Sequence, residues 1–193
     1  MKYTFLFVFL LCISMAGCDE RLMNRKVAQE EYSTKGLLDS LHLNVASRNP
    51  LLIKYANIDG EEDSTQLNLD SAGWSREFQI FNDMKVQPAR LQGRYLKVVN
   101  KDDSLIHTKY MGKDPDHLQL DSFFVTTNHK HELINLKAFI NYSNSLNSTQ
   151  QQLNMDFIKL EDDLLPVFYK TEGWQKLTLK DTVNFLVESK LSY

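Results

Sequence analysis

Thiols are scarce in this sequence: 193 residues contain two cysteines, Cys12 and Cys18. Both lie in the first 18 residues, so the chain beyond them can form neither a disulfide nor a cysteine-based metal site. Glycine and proline are also few, 7 and 4 residues, about half their usual combined share of roughly 12%. That excludes low-complexity tails and glycine-rich phosphate cradles. Neither sign of charge dominates, since 22 basic and 25 acidic side chains leave a formal net charge of −3. The basic excess with which a nucleic-acid binder neutralises phosphate is therefore missing. Long hydrophobic runs are missing too, except for Tyr3 to Met15 (YTFLFVFLLCISM). A spanning helix needs about 20 apolar residues, and Cys18, Asp19, Glu20 and Arg21 end this run too soon.

Lys2, the uncharged run after it, and the small residues Ala16 and Gly17 have the layout of an export signal. Its last four residues, Met15-Ala16-Gly17-Cys18, resemble the lipobox of bacterial lipoproteins. The resemblance implies cleavage between Gly17 and Cys18, a diacylglyceryl group of palmitate type on the Cys18 thiol, and a place in the cell envelope. Membrane contact would then run through the lipid on Cys18, because two or three acyl chains, at about 0.8 kcal/mol per buried CH₂, anchor stably where one does not. Asp19-Glu20 resembles both an inner-membrane retention signal and a surface-export signal, which leaves the membrane and leaflet open. The expected organisation is a removed signal over 1–17, a lipidated tether over 18–25 and a single domain over 26–193.

The domain reads as α+β: one or two N-terminal helices, then a mainly antiparallel sheet of about 6–8 strands, as an open half-barrel or sandwich-like. The spacing of Val27, Leu38, Leu41 and Val45 predicts a helix over Lys26–Ala46, with a break at Gly36 and a stop at Asn49-Pro50. Asp70 can cap a second helix, with Leu69 and Trp74 at the two positions of a hydrophobic staple. Trp74, Phe78 and Phe81 then share one face, which is expected to pack on a sheet. From Arg90 the period turns toward two, most clearly at Ile134, Leu136, Ala138, Ile140 and Tyr142, at Leu153, Met155 and Phe157, and at Val183, Phe185, Val187 and Leu191. Short polar turns between such runs predict antiparallel neighbours, about seven strands after Arg90 and one near Leu51–Tyr55. Phe139, Ile158 and Leu186 interrupt the polar sides of these strands. They are expected to lie under the helices or to line an apolar groove.

Catalytic spacings are missing. No G-x-S-x-G elbow, P-loop, dinucleotide fingerprint or calcium loop occurs. His131-Glu132-Leu133-Ile134-Asn135 fails as a zinc-protease motif, because Asn135 stands where the second histidine belongs and the segment reads as a strand. His129 and His131 are weak metal candidates as an i, i+2 pair on an extended segment, with His107 or His117 as a third ligand. The acidic groups Asp59/Glu61/Glu62/Asp63 and Glu161/Asp162/Asp163 read as solvated charge, and Trp174 as a strand-edge core residue. No cofactor is implied.

These readings converge on a lipid-anchored, non-catalytic binding or accessory module that binds or supports another envelope component, such as an envelope protein, through its sheet or loops. The alternative is a carrier of lipid or another apolar ligand in a half-barrel groove at Phe139, Ile158 and Leu186, and an envelope hydrolase is the third choice.

Overall fold

A computed structural model describes residues 33–193 apart from 87, 115 and 116. Gly17, Cys18, the expected signal and tether, and the expected helix up to residue 32 lie outside the described residues.

Helix α1, Thr34–Arg48, runs through Gly36 without the expected break. No atom lies within 4 Å of where a Cβ on Gly36 would be, and Leu38, Leu41 and Val45 on the opposite stripe are buried. That packing outweighs the roughly 1 kcal/mol that an interior glycine costs. The helix stops at Asn49 as expected, though by a left-handed turn at φ 47° and not by the extended backbone usual before proline.

Strands β1, Leu51–Ile58, and β2, Glu61–Asn68, form a hairpin. A crossover follows, made of helix α2, Ser71–Glu77, a 3₁₀ turn over Phe78–Met84, and the short α3, Pro88–Leu91. Seven strands then meander: β3 Tyr95–Lys101, β4 Leu105–Gly112, β5 Leu120–Asn128, β6 Leu133–Ser143, β7 Asn147–Leu160, β8 Asp163–Leu177 and β9 Thr182–Ser192. All nine belong to one open antiparallel sheet in the order β2-β1-β9-β8-β7-β6-β5-β4-β3. The chain is thus α+β as expected, with more strands than the expected 6–8 and a single sheet in place of a sandwich.

The additional strand is β2. Asp59-Gly60 turns the chain with φ of 51° and 93°, the two left-handed residues that a tight hairpin turn requires. The Asn57 side-chain oxygen accepts the Gly60 N–H at 3.0 Å and fixes the bend. All eight residues of β2 are exposed, so it shows no alternation, and its acidic start is common on a sheet edge.

One face of the sheet carries the core. Phe123 pairs with Ala138 and Val125 with Leu136; Leu136 then pairs with Met155, and Met155 with Tyr169. All six are at most 3% exposed. A bulge near Ile134 shifts the expected alternation there, so that Leu133 is buried and Ile134 is 36% exposed. The crossover lies on this face. Asp70 caps α2 by accepting the Gly73 N–H at 2.7 Å. The Trp74, Phe78 and Phe81 stripe is buried as expected, with Phe78 and Phe81 meeting the Tyr169 ring edge-on at 5.7 and 5.4 Å. Such pairs add about 0.5–1.5 kcal/mol beyond the area they bury.

Polar pins hold the crossover in place. Glu77 accepts from Lys54 on β1, at 2.7 and 2.9 Å, and from the Tyr169 hydroxyl at 2.9 Å. The buried Thr34 donates its backbone N–H to the Val86 carbonyl and its hydroxyl to the Met84 carbonyl, and it accepts the Val86 N–H. This stands in for a side-chain cap on α1, which Ser33 does not supply.

Candidate functional site

The connection into β5 and the β6–β7 hairpin meet at one end of the sheet. Tyr95 donates its hydroxyl to the Leu120 carbonyl at 2.6 Å, and the Asn141 N–H donates to the Gln119 carbonyl at 2.8 Å. These bonds place residues 117–119 between two cavities. The first, about 520 Å³, lies toward Asn141, Tyr142, Thr149, Gln150 and Trp174. The second, about 420 Å³, lies toward the crossover residues Asp83 and Lys85 and toward Arg94. His117, Leu118 and Gln119 line both. The volumes fall within the roughly 300–1,000 Å³ of small-molecule sites.

The first cavity is built on register. Asn141 pairs with Gln150 and Gln150 with Trp174, so these three side chains form one cross-strand row on the face opposite the crossover. Trp174 is half-buried, and its Nε1–H donates to the Gln150 side-chain oxygen at 3.1 Å. It is therefore not the core residue expected. Next to it, a Cβ on Gly173 would lie 2.0 Å from the Gln150 carbonyl oxygen. Only glycine allows β7 and β8 to approach this closely. Beyond the row, the Tyr142 hydroxyl accepts from the Asn144 side-chain amide at 2.6 Å.

The expected apolar groove is not assembled. Phe139 and Leu186 share a cross-strand row with Gln152 and Glu172 between them. That row lies on the face opposite the crossover. Phe139 packs against Phe124 at 5.8 Å, with the Lys137 ammonium 5.0 Å above its ring, which accounts for an aromatic on a polar face. Leu186 lines a separate cavity of about 480 Å³ beside the β1–β2 turn, and Ile158, further along β7, is 39% exposed.

His129 and His131 are exposed in the β5–β6 turn, where His131 is left-handed at φ 60°, so the extended segment expected for a bidentate pair is not formed. His107 instead meets Asp102 at 3.3 Å and His117 meets Asp114 at 3.0 Å. Among the described residues no three His, Cys, Asp or Glu side chains come together as a metal site.

The acidic groups do structural work. Asp59 accepts the Asn184 N–H at 2.7 Å and ties the first hairpin to β9. Arg48, ending α1, reaches Glu161 at 2.9 Å and Asp163 at 2.7 Å across the β7–β8 turn, so that group is more than solvated charge. Two other carboxyls are driven down to about 2: Asp39 by Lys35 and then Lys85, and Asp102 by the N–H groups of Ser104 and Leu105. Such groups are held as anions, whereas a general acid needs its carboxyl raised.

No helix among the described residues is long and apolar enough to cross a membrane. No protein-family model, curated protein or solved structure matches the chain.

Proposed function

We propose that this chain is a lipid-anchored, non-catalytic binding module of the bacterial cell envelope, tethered through Cys18 and engaging its target where the two cavities meet. The observation that carries the reading is the shared wall at His117–Gln119, which joins both cavities at one end of a sheet. Facing that wall in the first cavity, Asn141, Gln150 and Trp174 are fixed on strands by register, which holds a binding surface more sharply than loops do. The Met15-Ala16-Gly17-Cys18 lipobox supports the anchor. An open half-barrel fits the same reading: the sheet face under the crossover is filled by Trp74, Phe78 and Phe81, leaving the sheet end for recognition.

Two experiments in the producing cell test it. Cys18→Ser should abolish lipid modification and leave uncleaved precursor; normal processing would refute the anchor. A photo-crosslinking residue at Gln119 should yield a discrete adduct that the same residue at Thr65, on the distant edge strand, does not. Identical background at both positions would refute the site.

A further inference from the structure

We infer that the cavity beside Trp174 binds an uncharged saccharide, which rests on the binding-module reading and names its ligand class. The described lining holds no Asp, Glu, Lys or Arg, and its one imidazole, His117, already meets Asp114 at 3.0 Å, so a charged ligand would find no unengaged counter-charge of its own. It is built instead of polar residues, among them Gln119 and the amides of Asn141 and Gln150, which share the face of Trp174. Each such side chain both donates and accepts, as does every sugar hydroxyl. A purely apolar ligand would strip water from these groups and return no hydrogen bonds.

The aromatic component is oriented before any ligand arrives. Trp174 sits in register with Gln150, and the 3.1 Å bond from its Nε1 to the Gln150 oxygen sets the indole plane. A pyranose ring has one face of C–H groups and a rim of hydroxyls. An indole flanked by amides offers the matching pattern, apolar face to apolar face and hydrogen-bonding groups at the rim. Pre-setting the indole lowers the ordering cost of binding. The row Asn141, Gln150 and Trp174 repeats at the strand spacing of about 4.8 Å, so the amides follow the sugar outward from the ring.

The test uses full-length protein in detergent against immobilised neutral oligosaccharides of hexoses and N-acetylhexosamines, with uronate-containing counterparts as the charged arm. Binding to a neutral oligosaccharide is expected, with a shift in Trp174 emission that Trp174→Phe removes. Trp174→Ala should weaken binding at least tenfold, and Gln150→Leu, which frees the indole, several-fold. Binding confined to uronate glycans, or undiminished in Trp174→Ala, would overturn the inference. No binding to any oligosaccharide, together with discrete protein adducts at Gln119, would overturn it while sustaining the binding-module reading. No glycan binding and no adduct would remove both.

Discussion

Removing one oxygen from Tyr169 tests whether the crossover is pinned to the sheet by chemistry or merely rests on it. The Tyr169 side chain is 1% exposed, and its hydroxyl donates to Glu77 at 2.9 Å. Burial, and then the nearby Glu77 charge, push the phenol well above its ordinary value, so it stays a donor throughout the working pH range. A hydrogen bond to a charged acceptor contributes about 1.5–3 kcal/mol. The low end applies to Tyr169→Phe, because Lys54 keeps both Glu77 oxygens at 2.7 and 2.9 Å. The expected loss is about 1.5 kcal/mol, or about 3–6 °C in Tm for a domain of this size. Lys54→Met should cost more, about 2–3 kcal/mol after allowance for its partial exposure, since Glu77 then keeps only a neutral donor. Urea unfolding followed by circular dichroism, in a cycle with Glu77→Gln, isolates the pair. A coupling energy of at least 0.5 kcal/mol between Tyr169→Phe and Glu77→Gln is expected. Strict additivity, or a Tyr169→Phe melt within 1 °C of the parent, would refute the pin.

Gly173→Ala should destabilise by about 1–3 kcal/mol through overpacking, because the new Cβ falls 2.0 Å from the Gln150 carbonyl; chemical denaturation reads it, and an unchanged midpoint would show that β7 and β8 separate freely. Gly60→Ala, at φ 93°, should cost about 1 kcal/mol from left-handed strain, visible as a lower denaturation midpoint. Asp39, lowered from 3.8 to about 2 by Lys35 and Lys85, stabilises the fold above its ordinary value and loses that contribution as pH falls through 2. The Tm difference between the parent and Asp39→Asn should therefore be present at pH 6, shrink below pH 4 and close near pH 2; a difference constant across that range would refute the ion-pair assignment.

Local signals carried most of the meander. Strands β6 and β7 are each half-buried, so Leu136, Ala138, Leu153 and Met155 alternate visibly with polar residues. Period alone could not register the bulge that exchanges Ile134 for Leu133. It failed entirely at β2, where exposure of both faces erases alternation; the Asp59-Gly60 dipeptide was the signal that would have found that strand. The site was less legible because it is a property of pairing. Nothing in the order of residues brings Asn141, Gln150 and Trp174 into one row; three strands in register do. Arg48 meets Glu161 and Asp163 from more than a hundred positions away, and no local pattern encodes such a pair.

The place of β9 governs when the molecule can exist at all. This last strand lies between β1 and β8, with Leu191 opposite Leu52 and Ser189 opposite Tyr169. Until it arrives, the opening hairpin has no partner in the meander, and the sheet is two fragments. Synthesis runs from the other end, so every residue as far as β9 must leave the ribosome before the sheet can close. Contacts of such sequence separation fold slowly. A chain cut short before residue 182 would lose the strand that joins the two halves of the sheet.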